Sequence, residues 1–314
     1  MISLRKAVQD YLQMRRNLGF KLRDARKGLF DFVGYMERQR ARHITQALAL
    51  DWAQQPSNVQ PAHWARRLAY VRGFALYRSA TDPRTQIPAQ GLLPFQPKRA
   101  RPYLYSDAEV RNLLSEALKI RYCYESGKLR PLVYYCLFGL LSVTGLRVSE
   151  AQNLQVQDVD LKEAVLTIRC AKFGKTRLVP LHSSTCKVLA DYIDCRRRHW
   201  EQRPVSPYLF ISSLGHRLDG ADIRNTFYAL SRQTGLRGPS DSHGPRLHDF
   251  RHRFATRTLV HWYQSNQAPE RKLPLLSAFL GHLHVADTQW YLNGTPELMR
   301  EAMCRLERRW EDRP

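Results

Sequence analysis

The sequence is short of several things, and each shortage removes a class of protein from consideration. It has six cysteines, Cys123, Cys136, Cys170, Cys186, Cys195 and Cys304, with no C-x-x-C pair and no disulfide-framework spacing. With no hydrophobic segment near Met1 either, they read as reduced thiols of a cytosolic protein. The longest apolar run, Leu132–Val143, is broken by Gly139 and Ser142. It is shorter than the roughly 18 residues of a membrane span, so a core helix is expected there. There is no lipidation motif, no low-complexity tract and no repeat at solenoid period. A nucleotide-binding loop is also missing: Gly174-Lys175-Thr176 imitates its tail, but Arg169 stands where its first glycine belongs. The scarcest class is acid, with 28 Asp+Glu against 50 Lys+Arg, a formal charge of +22. A chain this basic expects a polyanion, and nucleic acid fits better than a membrane surface.

What is present is enough for two domains: 314 residues, 43% hydrophobic and 11% aromatic. The charge is uneven. Residues 1–104 carry 19 basic and 6 acidic side chains, the remainder 31 and 22, so the first third is the denser and reads as a binding module. Its periodicity predicts helices over about 3–18, 22–39, 44–54 and 61–80, the last carrying Arg66, Arg67 and Arg72 between apolar positions. These arginines are candidates for phosphate contact, with an ordinary solvated face as the alternative. Five prolines in 82–103 predict a linker whose basic end, Lys98, Arg99 and Arg101, is a further candidate for the DNA backbone. A Ser106-Asp107-x-Glu109 capping signal then opens a larger domain. The expected division is 1–81, 82–104 and 105–314. The second domain is expected to be mainly α, with strands near 165–168 and 178–181 making one small antiparallel sheet.

Chemistry-bearing residues concentrate in that second part. Thr144-Gly145-Leu146-Arg147 follows the apolar helix, and Arg147 needs an anion, whether a substrate or a structural partner such as Glu150 or Asp158. Lys172 and Lys175 flank the tip of the expected hairpin. His248 and Arg251 are three residues apart at a helix start, hence on one face. A zinc reading of His248 and His252 lacks a third ligand and is rejected. Leu280-Gly281-His282 and Trp290-Tyr291 complete the set.

In this order and spacing the motifs resemble the tyrosine recombinase (phage integrase) family, including its Xer-type members. The matching segments are TGLRVSE around Arg147, KFGKTRLVPL at the hairpin, LHDFRHRFAT around Arg251, and LGH followed nine residues later by Tyr291. The stretch 273–299 looks like members carried by transposon-like elements. The resemblance implies a helical core-binding domain followed by an α+β catalytic domain. It also implies strand cutting and rejoining through a 3′-phosphotyrosyl link. Tyr291 would be the nucleophile, Arg147 and Arg251 would fork onto the non-bridging oxygens, and Lys172 would protonate the leaving 5′-oxygen. His248 would assist proton transfer and His282 would bond the scissile phosphate. No metal, cofactor or ATP is expected.

The implied partner is double-stranded DNA with paired recombination sites, bound by a homotetramer or dimer of dimers, in a cytoplasmic, nucleoid-associated setting. Alternatives are a type IB topoisomerase-like relaxing enzyme and a non-catalytic DNA-binding protein. Two features depart from the family pattern. Ala171 precedes Lys172 where many relatives have glycine, which leaves Lys175 a rival acid. The Arg251–His282 interval is 31 residues, longer than in Xer-type relatives, with the extra length expected as a loop over 264–272. An apolar stripe on a helix over 295–310 allows docking either on its own domain or on a neighbouring copy.

Overall fold

The computed structural model describes residues 3–96, 101–169, 176–201, 204–241, 243–265, 267–293 and 296–311. The chain forms two compact units, Met1–Ala100 and Arg101–Pro314.

The first unit is helical: α1 Leu4–Asn17, α2 Arg23–Arg38, α3 Gln46–Gln54 and α4 Pro61–Ser79. Its helices begin where local chemistry satisfies the free amides. The Ser3 and Thr45 hydroxyls accept from the N–H groups of Lys6 and Leu48, and Pro61 occupies the first turn of α4. Val8, Leu12, Leu29, Phe32, Val71 and Phe74 close a core around the fully buried Trp52. α4 ends at Ser79, ahead of the first of the prolines, and residues 82–96, within the stretch expected as a linker, hydrogen-bond to the first unit. Gln86 N–H donates to Ile44 O at 2.8 Å, and Ala89 N–H to Gln46 Oε1 at 3.1 Å. Asp82, buried, takes Arg84 at 3.0 Å. Backbone amides left unpaired by the extended chain thus find partners at and just before the start of α3.

The second unit begins with α5 Asp107–Leu118, closed by a capping box in which Ser106 and Glu109 satisfy each other's amides at 3.2 and 2.7 Å. Then follow α6 Arg130–Thr144, α7 Val148–Asn153, strands β1 Val159–Asp160, β2 Val165–Ile168 and β3 Arg177–Pro180, and α8 Ser183–His199. The remaining helices are α9 Gly220–Gln233, α10 Asp249–Gln264, α11 Pro269–Leu280, the short α12 Ala286–Gln289 and α13 Pro296–Glu311. The sheet is antiparallel in the order β1-β2-β3, with Leu166 opposite Val179 and Ile168 opposite Arg177. A mainly α chain with one small antiparallel sheet is therefore what the structure contains. Among the described residues no helix is long and apolar enough to cross a membrane.

One detail differs from expectation, and a second falls on one of the two alternatives left open. The loop expected over 264–272 is confined to the turn between α10 and α11, because Pro269 rather than Pro274 sits in the first helical turn and Pro274 lies inside α11. The C-terminal helix packs on its own chain. Leu298 is buried in a core with Leu259, Leu276 and Tyr291, and Gln264 donates to Glu301 at 2.9 Å. Met299, Met303, Leu306 and Trp310 stay exposed on its other side.

Candidate active site

Helix α6 ends at Gly145, whose φ of +61° is left-handed. An added Cβ there would lie 2.8 Å from the Phe254 ring, so both the turn and the close approach require glycine. The turn sends Leu146 inward and leaves Arg147 as the N-cap of α7. Its Nη1 donates to Glu150 Oε1 at 2.8 Å, and its backbone N–H to Glu150 Oε2 at 2.9 Å.

Arg251 enters from the first turn of α10 and is 1% exposed. Its Nη1 donates to Gly145 O at 3.0 Å, and its Nη2 to Leu280 O and His282 Nε2, both at 2.7 Å. Burial lowers its affinity for the proton while Tyr291 opposes that effect. A guanidinium nevertheless stays charged at any pH of interest.

The C-terminus of α11 is the common anchor. A helix end leaves carbonyls without partners and carries partial negative charge, so cations collect there. Three successive carbonyls are each gripped by an arginine. Phe279 O takes Arg177 Nε at 2.8 Å, Leu280 O takes Arg251, and Gly281 O takes Arg147 Nη2 at 3.3 Å. Gly281 is left-handed at φ +68° and turns the chain to His282.

His282 Nδ1 pairs with the Thr288 hydroxyl at 2.7 Å. Arginine can only donate, so Nε2 accepts from Arg251 and the proton resides on Nδ1, facing Thr288. Burial first, then Arg251 and Arg147, push this imidazole down to about 4. Tyr291, 5% exposed, lies in the 3-10 turn Trp290–Asn293, its ring parallel to His282 at 6.0 Å. The His252 ring meets Tyr291, Trp290 and His248 at 5.2, 5.0 and 5.0 Å. Burial, then His248, also bring His252 down to about 4.

The sequence pattern of the phage integrase family matches residues 106–297, which span every one of these groups. The chain is a tyrosine recombinase of the phage integrase family. It is 65% identical over 313 residues, the whole of both chains, to a Sinorhizobium fredii protein that bears the name integrase/recombinase y4rB. To the tyrosine recombinase XerA of Thermococcus kodakarensis it is 33% identical over 215 residues, 68% of this chain and 66% of that one. Among solved structures, a lambda integrase tetramer bound to a Holliday junction shares the fold. That match has TM-score 0.62 at 14% identity, covering 94% of this chain and 78% of the other.

Of the residues singled out in the recombinase sequence, Arg147, Arg251, His282 and Tyr291 come together in one cluster. His248 stands at its exposed edge and touches it through His252. The protein mass around His248 and then Arg251 lower its pKa. Lys172 and Lys175, like Lys98 and Arg99, lie outside the described residues. Arg101 is exposed, as is Arg66, which donates to His63 Nδ1 at 3.0 Å.

Two of the arginines offered for DNA have partners within the fold. Arg67 lies 3.8 Å over the Trp52 ring and donates to Trp52 O at 3.0 Å, and Arg72 donates to Pro88 O. Their helical spacing resembles a solvated face, but α3 covers Arg67 through Trp52, and the chain after α4 supplies the Pro88 carbonyl to Arg72. Both alternatives for Arg147 turn out compatible, since it pairs with Glu150 and is still 22% exposed.

Sequence reading passes over Arg177 and Thr288, and weighs His252 only as a rejected zinc ligand. Arg177 had a signal, because strand alternation puts it on the same face as the buried Val179. A charge on an inward strand position asks for a partner.

Proposed function

We propose that this recombinase cuts and rejoins double-stranded DNA at specific sites through a 3′-phosphotyrosyl intermediate. The observation that carries the reading is the burial of Tyr291 against Arg251 and His282, with Arg147 held on the same helix terminus. A phenol in that setting attacks phosphorus as the two guanidiniums meet the charge growing on the non-bridging oxygens. Donors preorganised for developing charge are worth on the order of 3 kcal/mol each. The bond energy stays in the tyrosyl ester, so rejoining by the free 5′-hydroxyl needs no nucleotide. Lys172, with Lys175 as its rival, supplies the proton to the leaving 5′-oxygen, and His248 assists proton transfer beside the tyrosine.

His282 reaches the phosphate only after Arg251 releases its Nε2. DNA engagement therefore includes an exchange in which Arg251 turns donors from His282 and the Leu280 carbonyl to phosphate oxygens. Four copies acting on two paired sites, at the nucleoid, is the assembly we favour. The lambda integrase tetramer on a Holliday junction has the same fold, which supports that assembly.

The reading is tested with duplexes selected from a random-sequence pool for covalent capture by the wild-type chain, analysed on denaturing gels. A protein–DNA adduct is expected with the wild type and none with Tyr291→Phe. Equal amounts from both would remove the reading. Pairing of two labelled duplexes in one complex separates recombination from relaxation by a lone enzyme.

A further inference from the structure

Arg177 has no place in the reaction just described, yet it is built into the site more firmly than Arg147. Its side chain is 11% exposed, and its fork is bidentate on Glu150: Nη1 to Oε1 at 3.0 Å and Nη2 to Oε2 at 2.9 Å. Its Nε takes Phe279 O at 2.8 Å. Gly281 leaves it room, since a Cβ there would come within 2.7 Å of Nη1.

Each Glu150 oxygen therefore serves two donors, one from Arg147 and one from Arg177. Charge accounting gives the arrangement its meaning. One buried carboxylate faces two guanidiniums, so a net positive charge remains. If Arg177 were neutral, Glu150 would pair with Arg147 alone and cancel the charge meant for an anion.

We propose that Arg177 is a positioning residue: by occupying Glu150 it leaves the charge of Arg147 available to the scissile phosphate, and by holding Phe279 O it fixes the helix terminus that Arg147 and Arg251 share. The proposal rests on the reading of Arg147 as a phosphate-binding group. It differs from a purely structural role in one respect. The cost of losing Arg177 must depend on the charge of the phosphate and on the presence of the Glu150 carboxylate.

The test uses the full chain and a pool-selected duplex on which the wild type forms an adduct and Tyr291→Phe does not. Absence of that difference would sink the parent reading, whereas its presence leaves Arg177 to be judged by itself. Adduct formation is compared on the natural phosphate and on a neutral methylphosphonate at the cleavage position. Arg177→Gln is expected to lose at least about tenfold in rate on phosphate, corresponding to one missing charge-directed interaction. Relative to wild type on the same substrate, its deficit should shrink to within about threefold on the methylphosphonate, which is neutral before attack and develops one negative charge fewer in the transition state. Arg177→Lys should recover part of the rate on phosphate. The double variant Arg177→Gln, Glu150→Gln should cleave faster than Arg177→Gln alone, since no carboxylate remains to neutralise Arg147. An equal deficit on both substrates, or a double variant slower than the single one, overturns the proposal.

Discussion

Glu150 offers the sharpest test of how the site is held together. Its side chain is 4% exposed and accepts from Arg147 and Arg177 together. Burial by itself raises the Glu150 carboxyl, but the Arg177 fork, the Arg147 amide and the two positive charges outweigh it. They hold the group at about 2, against an ordinary 4.5. At about 1.36 kcal/mol per pH unit, that gap corresponds to about 3 kcal/mol of folding stability. Because the folded-state value is depressed, the contribution is complete above pH 4.5 and disappears as pH falls through 2. Glu150→Gln removes the charge at every pH and leaves two half-buried guanidiniums facing an amide. A loss of about 3 kcal/mol at pH 7 is expected, near the low end of what breaking a buried ion pair costs. The assay is urea unfolding, with hydrogen exchange of α7 and α11 amides locating the loss in the second unit. The wild type should also lose stability between pH 4.5 and 2 more steeply than the variant. A variant within about 1 kcal/mol of wild type at pH 7, with parallel curves down to pH 2, would refute the reasoning.

Other outcomes follow from the same geometry. Arg251→Ala strips donors from Gly145 O, Leu280 O and His282. It should abolish adduct formation by at least about a hundredfold and lower stability by a few kcal/mol, about the cost of a lost buried charged network. Rates near wild type in single-turnover cleavage would contradict this. The imidazoles of His252 and His282, both at about 4, bind a proton less readily folded than unfolded. Their contribution to stability is therefore present above about pH 6.5 and falls as pH drops towards 4, and NMR titration of the two rings checks the sign. In the first unit, Arg67→Ala should destabilise without changing the salt slope of DNA affinity, whereas Arg66→Ala should reduce that slope by about 1. The reverse pattern would mean that the two arginines have been assigned the wrong way round.

Much of the fold was legible because the informative signals were local. Ser106 and Glu109 announce the start of α5, Gly145 and Gly281 mark the ends of α6 and α11, and the strands β2 and β3 fall within a residue of expectation. The departures arise where distant chain decides. Nothing local reveals that Trp52 of α3 lies under Arg67, or that 82–96 returns to bring the Pro88 carbonyl to Arg72. The loop expected over 264–272 shortens because Pro269 already sits in the first turn of α11. In the site, motifs marked the residues proposed to meet substrate and passed over those packed against them. The join between Arg177, Glu150 and the α11 terminus spans more than 100 residues of chain, a closure that spacing does not record.

The central claim is that Tyr291 becomes esterified to DNA. The most direct measurement is protease digestion of the trapped adduct followed by mass spectrometry of the DNA-linked peptide, with end-labelling to find which strand end is blocked. A peptide containing Tyr291 joined to a 3′-phosphate, beside a free 5′-hydroxyl, is the predicted result. Attachment at any other residue, or through a 5′-phosphate, would contradict the account.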